Sequence, residues 1–75
     1  MNNTRRKKIA KAIELIEKAV EILEDVKNEE QEAIDSMPEN LAGSERAEKM
    51  EEYIWNIDEY IEALDTGTLQ EIIEG

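Results

Sequence analysis

Ser36-Met37-Pro38-Glu39-Asn40-Leu41-Ala42-Gly43-Ser44 is the stretch on which the chain turns. Nowhere else do proline, glycine and two serines together interrupt a long helical pattern. Pro38 has no amide proton and disfavours the α conformation at Met37, so a helix arriving from Ile34 is expected to end near Asp35 or Ser36. Ser36 and Glu39 stand at capping-box spacing and proline is tolerated in a first turn, which predicts one helical turn through Glu39-Asn40-Leu41. Gly43 is placed to end that turn in the left-handed conformation. Ser44 is placed to cap the next helix, with Glu45 and Glu48 at the positive end of its dipole. Met37 and Leu41 are expected to pin the corner with apolar contacts.

Before the turn, the pattern predicts a long helix over about 4–35, with Asn3 or Thr4 as its N-cap. Ile9, Ile13, Ile16, Val20 and Leu23 step by four and three residues in alternation. A second row, Ala12, Leu15, Ala19, Ile22 and Val26, does the same beside it. Two adjacent rows are more than one neighbouring helix can cover, so a second neighbour is expected. After the turn, Ala47, Met50, Ile54, Ile57, Ile61 and Leu64 form one seam and predict a return helix over about 45–65. Thr66 and Gly67 are expected to end it, and Thr68 with Glu71 to cap a short helix over about 69–74. At about 1.5 Å per residue the return helix runs out near Glu14, which leaves Leu69, Ile72 and Ile73 to cover Ile9 and Ile13. The expected fold is all-α: an antiparallel helical hairpin in a single domain, residues 1–75, assembled into an oligomeric bundle.

Composition supports assembly. A chain of 75 residues buries only about 60% of its unfolded surface. It holds no cysteine for a disulfide, and without cysteine or histidine it offers no zinc site. Oligomerisation is the remaining common way to stabilise so small a core. No secretory signal or membrane span is read, because Ile and Leu alternate with Glu and Lys throughout the first helix. The net charge of −11 is uneven: residues 1–18 hold six basic and two acidic groups, the rest three basic and eighteen acidic. The acidic body opposes phosphate, so nucleic acid is the least favoured partner, held only by Arg5 to Lys11. That basic start is expected to lie against Glu59, Glu62, Asp65, Glu71 and Glu74 instead.

Catalytic chemistry finds little to work with. The carboxylates fall mainly on outer faces, Ser36 and Ser44 have no histidine to activate them, and no calcium loop or glycine-rich phosphate loop is present. No catalytic residue, metal ligand or cofactor is assigned, and the chain is read as not an enzyme. The candidate binding residues lie on the return helix. Arg46, Lys49, Tyr53, Asn56 and Tyr60 step by three and four and form one line. Arg46 and Lys49 are the only cations after Lys27, and they start a helix whose first amides favour an anion. Asn40 and Ser44 add hydrogen-bonding groups, and the tyrosines offer faces for stacking. Such a stripe would take a phosphate-bearing small molecule or an acidic segment of a partner protein. The plainer reading is a salt-bridged surface, with Lys49 paired to Glu45 or Glu52 and Arg46 to Glu39 or an acid of the first helix. Trp55 lies about 100° round from Ile54 and, with Ile9, Ile13, Leu15, Ile16 and Ile22, is assigned to an interface between copies, with packing on the second row of the first helix as its alternative.

The run Pro38-Glu39-Asn40-Leu41-Ala42-Gly43-Ser44-Glu45-Arg46, with Met50-Glu51-Glu52 and Ile57-Asp58-Glu59 after it, resembles small, mostly uncharacterised helical proteins of bacterial viruses and prophages. These place a long charged helix before a P-E-N-L-x-x-S-x-R turn and an acidic helix after it. The likeness covers roughly residues 20–65, and neither the basic start nor the tail from Thr68 to Gly75. It implies a viral accessory protein in the host cytoplasm and carries no known activity. Sequestering or blocking a host defence component, protein or nucleotide signal, is the use that fits. A structural or regulatory oligomerisation module without a small ligand is the alternative, and nucleic-acid binding the third.

Overall fold

The computed structural model describes residues 1–75 and is all-helical, with 85% of the chain in helix and no strand. Helix α1 spans Asn3–Asp35, a single turn α2 spans Glu39–Ala42, α3 spans Glu45–Ala63 and α4 spans Gly67–Glu74. The chain bends at residues 64–66 between the last two.

Proline and the apolar periodicity place the elements where the sequence predicts them, but the caps differ in four places. Asn2, not Asn3 or Thr4, caps α1: its side chain accepts a 2.9 Å hydrogen bond from the Arg5 amide. Asn outranks Thr at this position, and capping one residue earlier lets both alternatives join the helix. Ser36 ends α1 instead of opening α2, with its amide donating to the Glu32 carbonyl at 3.0 Å. A capping box from Ser36 would need Met37 to be helical, which Pro38 opposes. The turn therefore begins after Pro38, whose carbonyl accepts from Leu41 and Ala42 at 2.8 and 3.1 Å.

Gly43 is not left-handed. It sits at φ −104°, ψ 15°, and the Ser44 amide closes the turn onto the Leu41 carbonyl at 3.1 Å. A side chain added there meets nothing within 4 Å. Gly43→Ala should therefore raise stability by about 0.4–1 kcal/mol through the unfolded chain, a gain of a few degrees in a thermal melt. A left-handed Gly43 would give a loss instead. At the other end, α3 stops at Ala63, and Asp65 replaces Thr68 as the side chain that organises the start of α4. Its carboxylate accepts from the Gly67 amide at 2.9 Å, a bond to the backbone two residues on that makes Gly67 the first residue of α4. Ser44 caps α3 as its position predicts, accepting from the Ala47 amide at 3.3 Å.

Both α3 and α4 pack on α1. Lys27 of α1 pairs with Asp58 of α3. Nearer the turn, Ala33 shares a cleft with Met50. Farther from it, Ile16 and Val20 share a groove with Ile61, Leu64 and Thr66. These neighbours run in opposite chain order, and they leave α4 beside the first turns of α1. Ile13 is only 4% exposed there, with Leu69 and Ile73 half-buried.

The packed layer is thin. Ile13 and Ala47 are the only two buried residues, and the remaining seam residues are half-buried. The Cα trace measures 60 × 15 × 13 Å, with a radius of gyration of 17.8 Å against about 11 Å for a compact chain of this length. The accessible surface is 5917 Å², while a compact monomer of this mass exposes about 4,700 Å². The second row of α1 contributes to the excess: Leu15, Ile22 and Val26 are 54%, 62% and 42% exposed, and Ala12 and Ala19 of the same row are exposed too.

Candidate functional site

The turn, the end of α1 and the first two turns of α3 enclose an open cleft of about 430 Å³. Pro38 starts α2 and sets its direction, Ser44 starts α3, and their spacing draws Met37 and Leu41 toward Met50 across the gap. Ala33 closes the side toward α1, and Ser36, Pro38, Ser44 and Arg46 complete the wall. The lining is mainly apolar, with Arg46 its single charged group. Arg46 is exposed and forms no ion pair, so neither Glu39 nor an acid of α1 neutralises it.

The expected stripe divides. Arg46 and Ser44 belong to the cleft, but the Ser44 hydroxyl is occupied by the Ala47 amide. Together with the first-turn acids Glu45 and Glu48 this already answers the positive end of α3, so an anion would rely on the guanidinium rather than on free amides. Lys49 lies 3.5 Å from Glu52 and 5.7 Å from the centre of the Tyr53 ring, engaged on the surface in the way the plainer reading foresees. Its partner is Glu52 and not Glu45. Asn40, Tyr53, Asn56 and Tyr60 are exposed. Tyr60 stands fourteen residues beyond Arg46, about 21 Å along the helix, so one small ligand cannot touch the whole line.

Ala33 and Arg46 together orient the two exposed rows. Ala33 lies one heptad beyond Val26, in line with the second row of α1, and Arg46 begins the α3 stripe. Since both line one cleft, the α1 row and the tyrosines of α3 border the same side of the helix pair. Among the residues assigned to an interface between copies, Leu15, Ile22 and Trp55 are more than half exposed. Ile9 and Ile16 are half-buried. Ile13 is buried within the single chain and has no surface left for a second copy. Trp55 is 58% exposed, so most of its ring surface faces solvent.

The basic start of α1 does not pair with the acids of α3 and α4. Lys11 and Lys18 both turn to Glu14, at 3.5 and 3.8 Å, and Arg5, Arg6, Lys7 and Lys8 have no ion-pair partner. The Arg6 Nε is buried without a hydrogen bond. The bend near Asp65 stands beside Ile16 and Glu17, and that offset keeps the acids of α3 away from residues 5–8. No group of three or more acidic side chains is arranged to hold a metal ion, and no helix is long and apolar enough to cross a membrane.

The cleft lining is what the sequence pattern concealed. Ala33, Met37, Leu41 and Met50 have the character and spacing of core residues, and Leu41 is nonetheless 47% exposed. The one available signal is composition: two of the three methionines stand at this corner, and methionine is the side chain that adapts to varied apolar partners. No protein-family model, curated protein or solved structure matches the chain.

Proposed function

We propose that the chain is a non-catalytic binding protein, an antiparallel helical hairpin that self-associates and takes an acidic, apolar segment of a partner protein in the cleft at its turn. Arg46 carries this reading: it is the one charge on an otherwise apolar cleft, and it has no acid partner of its own. A cleft of about 430 Å³ falls in the range of small-ligand sites, where a few polar groups orient an apolar body. A leucine or phenylalanine beside a carboxylate matches that lining better than a nucleotide, whose several charges would meet one cation among acids. Opposite-order contacts between α1 and α3 support the hairpin, and the extra accessible surface supports self-association. The absence of histidine and cysteine from the sequence supports a role without catalysis. The setting implied by the turn, a viral accessory protein that blocks a host defence component, makes a host protein the partner to test first.

A second reading, an oligomerisation module without a further ligand, draws on the exposed row of α1. Calorimetric titration with short acetylated acidic peptides carrying one leucine or phenylalanine, beside ATP and a cyclic dinucleotide, separates the two. Saturable peptide binding with methyl shifts at Met37, Leu41 and Met50 is the expected result. Silence from every probe in a protein that self-associates would transfer the function to the second reading.

A further inference from the structure

The exposed row of α1 carries its own address. Ala12, Ala19, Val26 and Ala33 recur every seven residues, and Leu15 and Ile22 stand between them. The residues immediately before these four are Lys11, Lys18, Asp25 and Glu32, two cations followed by two anions. All four flanking side chains are exposed, and Asp25 and Glu32 make no ion pair.

Building on the self-association reading, we propose that this row docks on the same row of a second copy, with the two α1 helices antiparallel. In one register Leu15 meets Val26 of the second copy and Ala19 meets its Ile22, so each layer sets a larger side chain against a smaller one. The flanking residues then fall opposite each other with opposite sign throughout. Lys18 faces Asp25 of the second copy, Lys11 faces its Glu32, and symmetry doubles both pairs. Shifting by one heptad in either direction puts Lys18 against Lys18 or Asp25 against Asp25. A parallel arrangement sets Asp25 beside Glu30 and the two lysines beside Ile16 and Leu23.

The unpaired basic start finds its counterpart in the same arrangement. Arg5, Arg6 and Lys8 come opposite the end of the other α1, where Glu29, Glu30 and Asp35 lie. Lys8 stands level with Ala33 of the second copy and so adds a cation near the edge of its cleft.

Two exchanged-charge variants test this on the full chain: Lys11→Glu with Lys18→Glu, and Asp25→Lys with Glu32→Lys. Because all four positions are exposed, helicity by circular dichroism should hold. By sedimentation equilibrium each variant alone should dissociate with a constant at least about tenfold weaker than wild type, and an equimolar mixture should recover a 1:1 pair. The second variant also lowers the net negative charge, so its weakening cannot come from general repulsion. Variants that self-associate like wild type, or a mixture no tighter than its components, would overturn the face while leaving self-association standing. A wild type that stays monomeric at every concentration would overturn both.

Discussion

Ile13→Ala should lower the melting midpoint by at least about 8 °C, far more than any other truncation on α1. Ile13 is the only large apolar side chain that the single chain buries, at 4% exposure, on a helix against which both α3 and α4 pack. Removing its outer carbons loses transfer energy and leaves a void, together about 2–5 kcal/mol. A chain of this size holds a total of roughly 4–11 kcal/mol, and each kcal/mol moves the midpoint by about 4–8 °C. Ile22→Ala is the control: at 62% exposure it should change a dilute monomer's melt by no more than about 0.5 kcal/mol, and show itself in the mass of the assembly instead. Equal losses from the two substitutions in dilute melts would contradict the burial described for α1.

Arg46→Ala should weaken binding of an acidic peptide ten- to a hundredfold. The guanidinium supplies a charge-assisted and potentially bidentate contact, worth about 1.5–3 kcal/mol, and the cleft has no second cation of its own chain to replace it. The fold should be indifferent, because the side chain is exposed and holds no acid. Lys49→Ala should leave the affinity nearly unchanged, since Lys49 is absent from the cleft and is occupied by Glu52 and Tyr53. Peptide affinity that falls with Lys49→Ala and not with Arg46→Ala would move the site onto the outer face of α3.

These contrasts rest on distinctions that periodicity does not make. Ile13 and Ile22 stand in the two adjacent apolar rows of α1, and the row that α3 and α4 face separates the covered one from the bare one. Element order was legible because Pro38, Ser44 and the apolar seams each act locally. Apart from Ser44, cap positions were not. Neighbouring polar residues compete for them, as Asn2 does with Asn3 and Thr4, or Asp65 with Thr68, and the winner depends on backbone angles a few residues away. Arg46 could be singled out by its sign alone. Its apolar surroundings could not, because a seam residue becomes a cleft residue only where no further helical turn remains to cover it.

The rod shape has a consequence for how this molecule scatters and diffuses. Its length is set by α1, about 50 Å of helix in a 60 Å particle only 15 Å wide. The proposed antiparallel register is centred near residue 20, close to the middle of α1, so a second copy docked in it would lie alongside and add girth rather than length. Small-angle scattering should therefore show the forward intensity per unit concentration doubling while the maximum dimension barely moves. The cross-sectional radius would carry the change. Elution from a sizing column follows the long dimension of such rods and would hardly distinguish one copy from two.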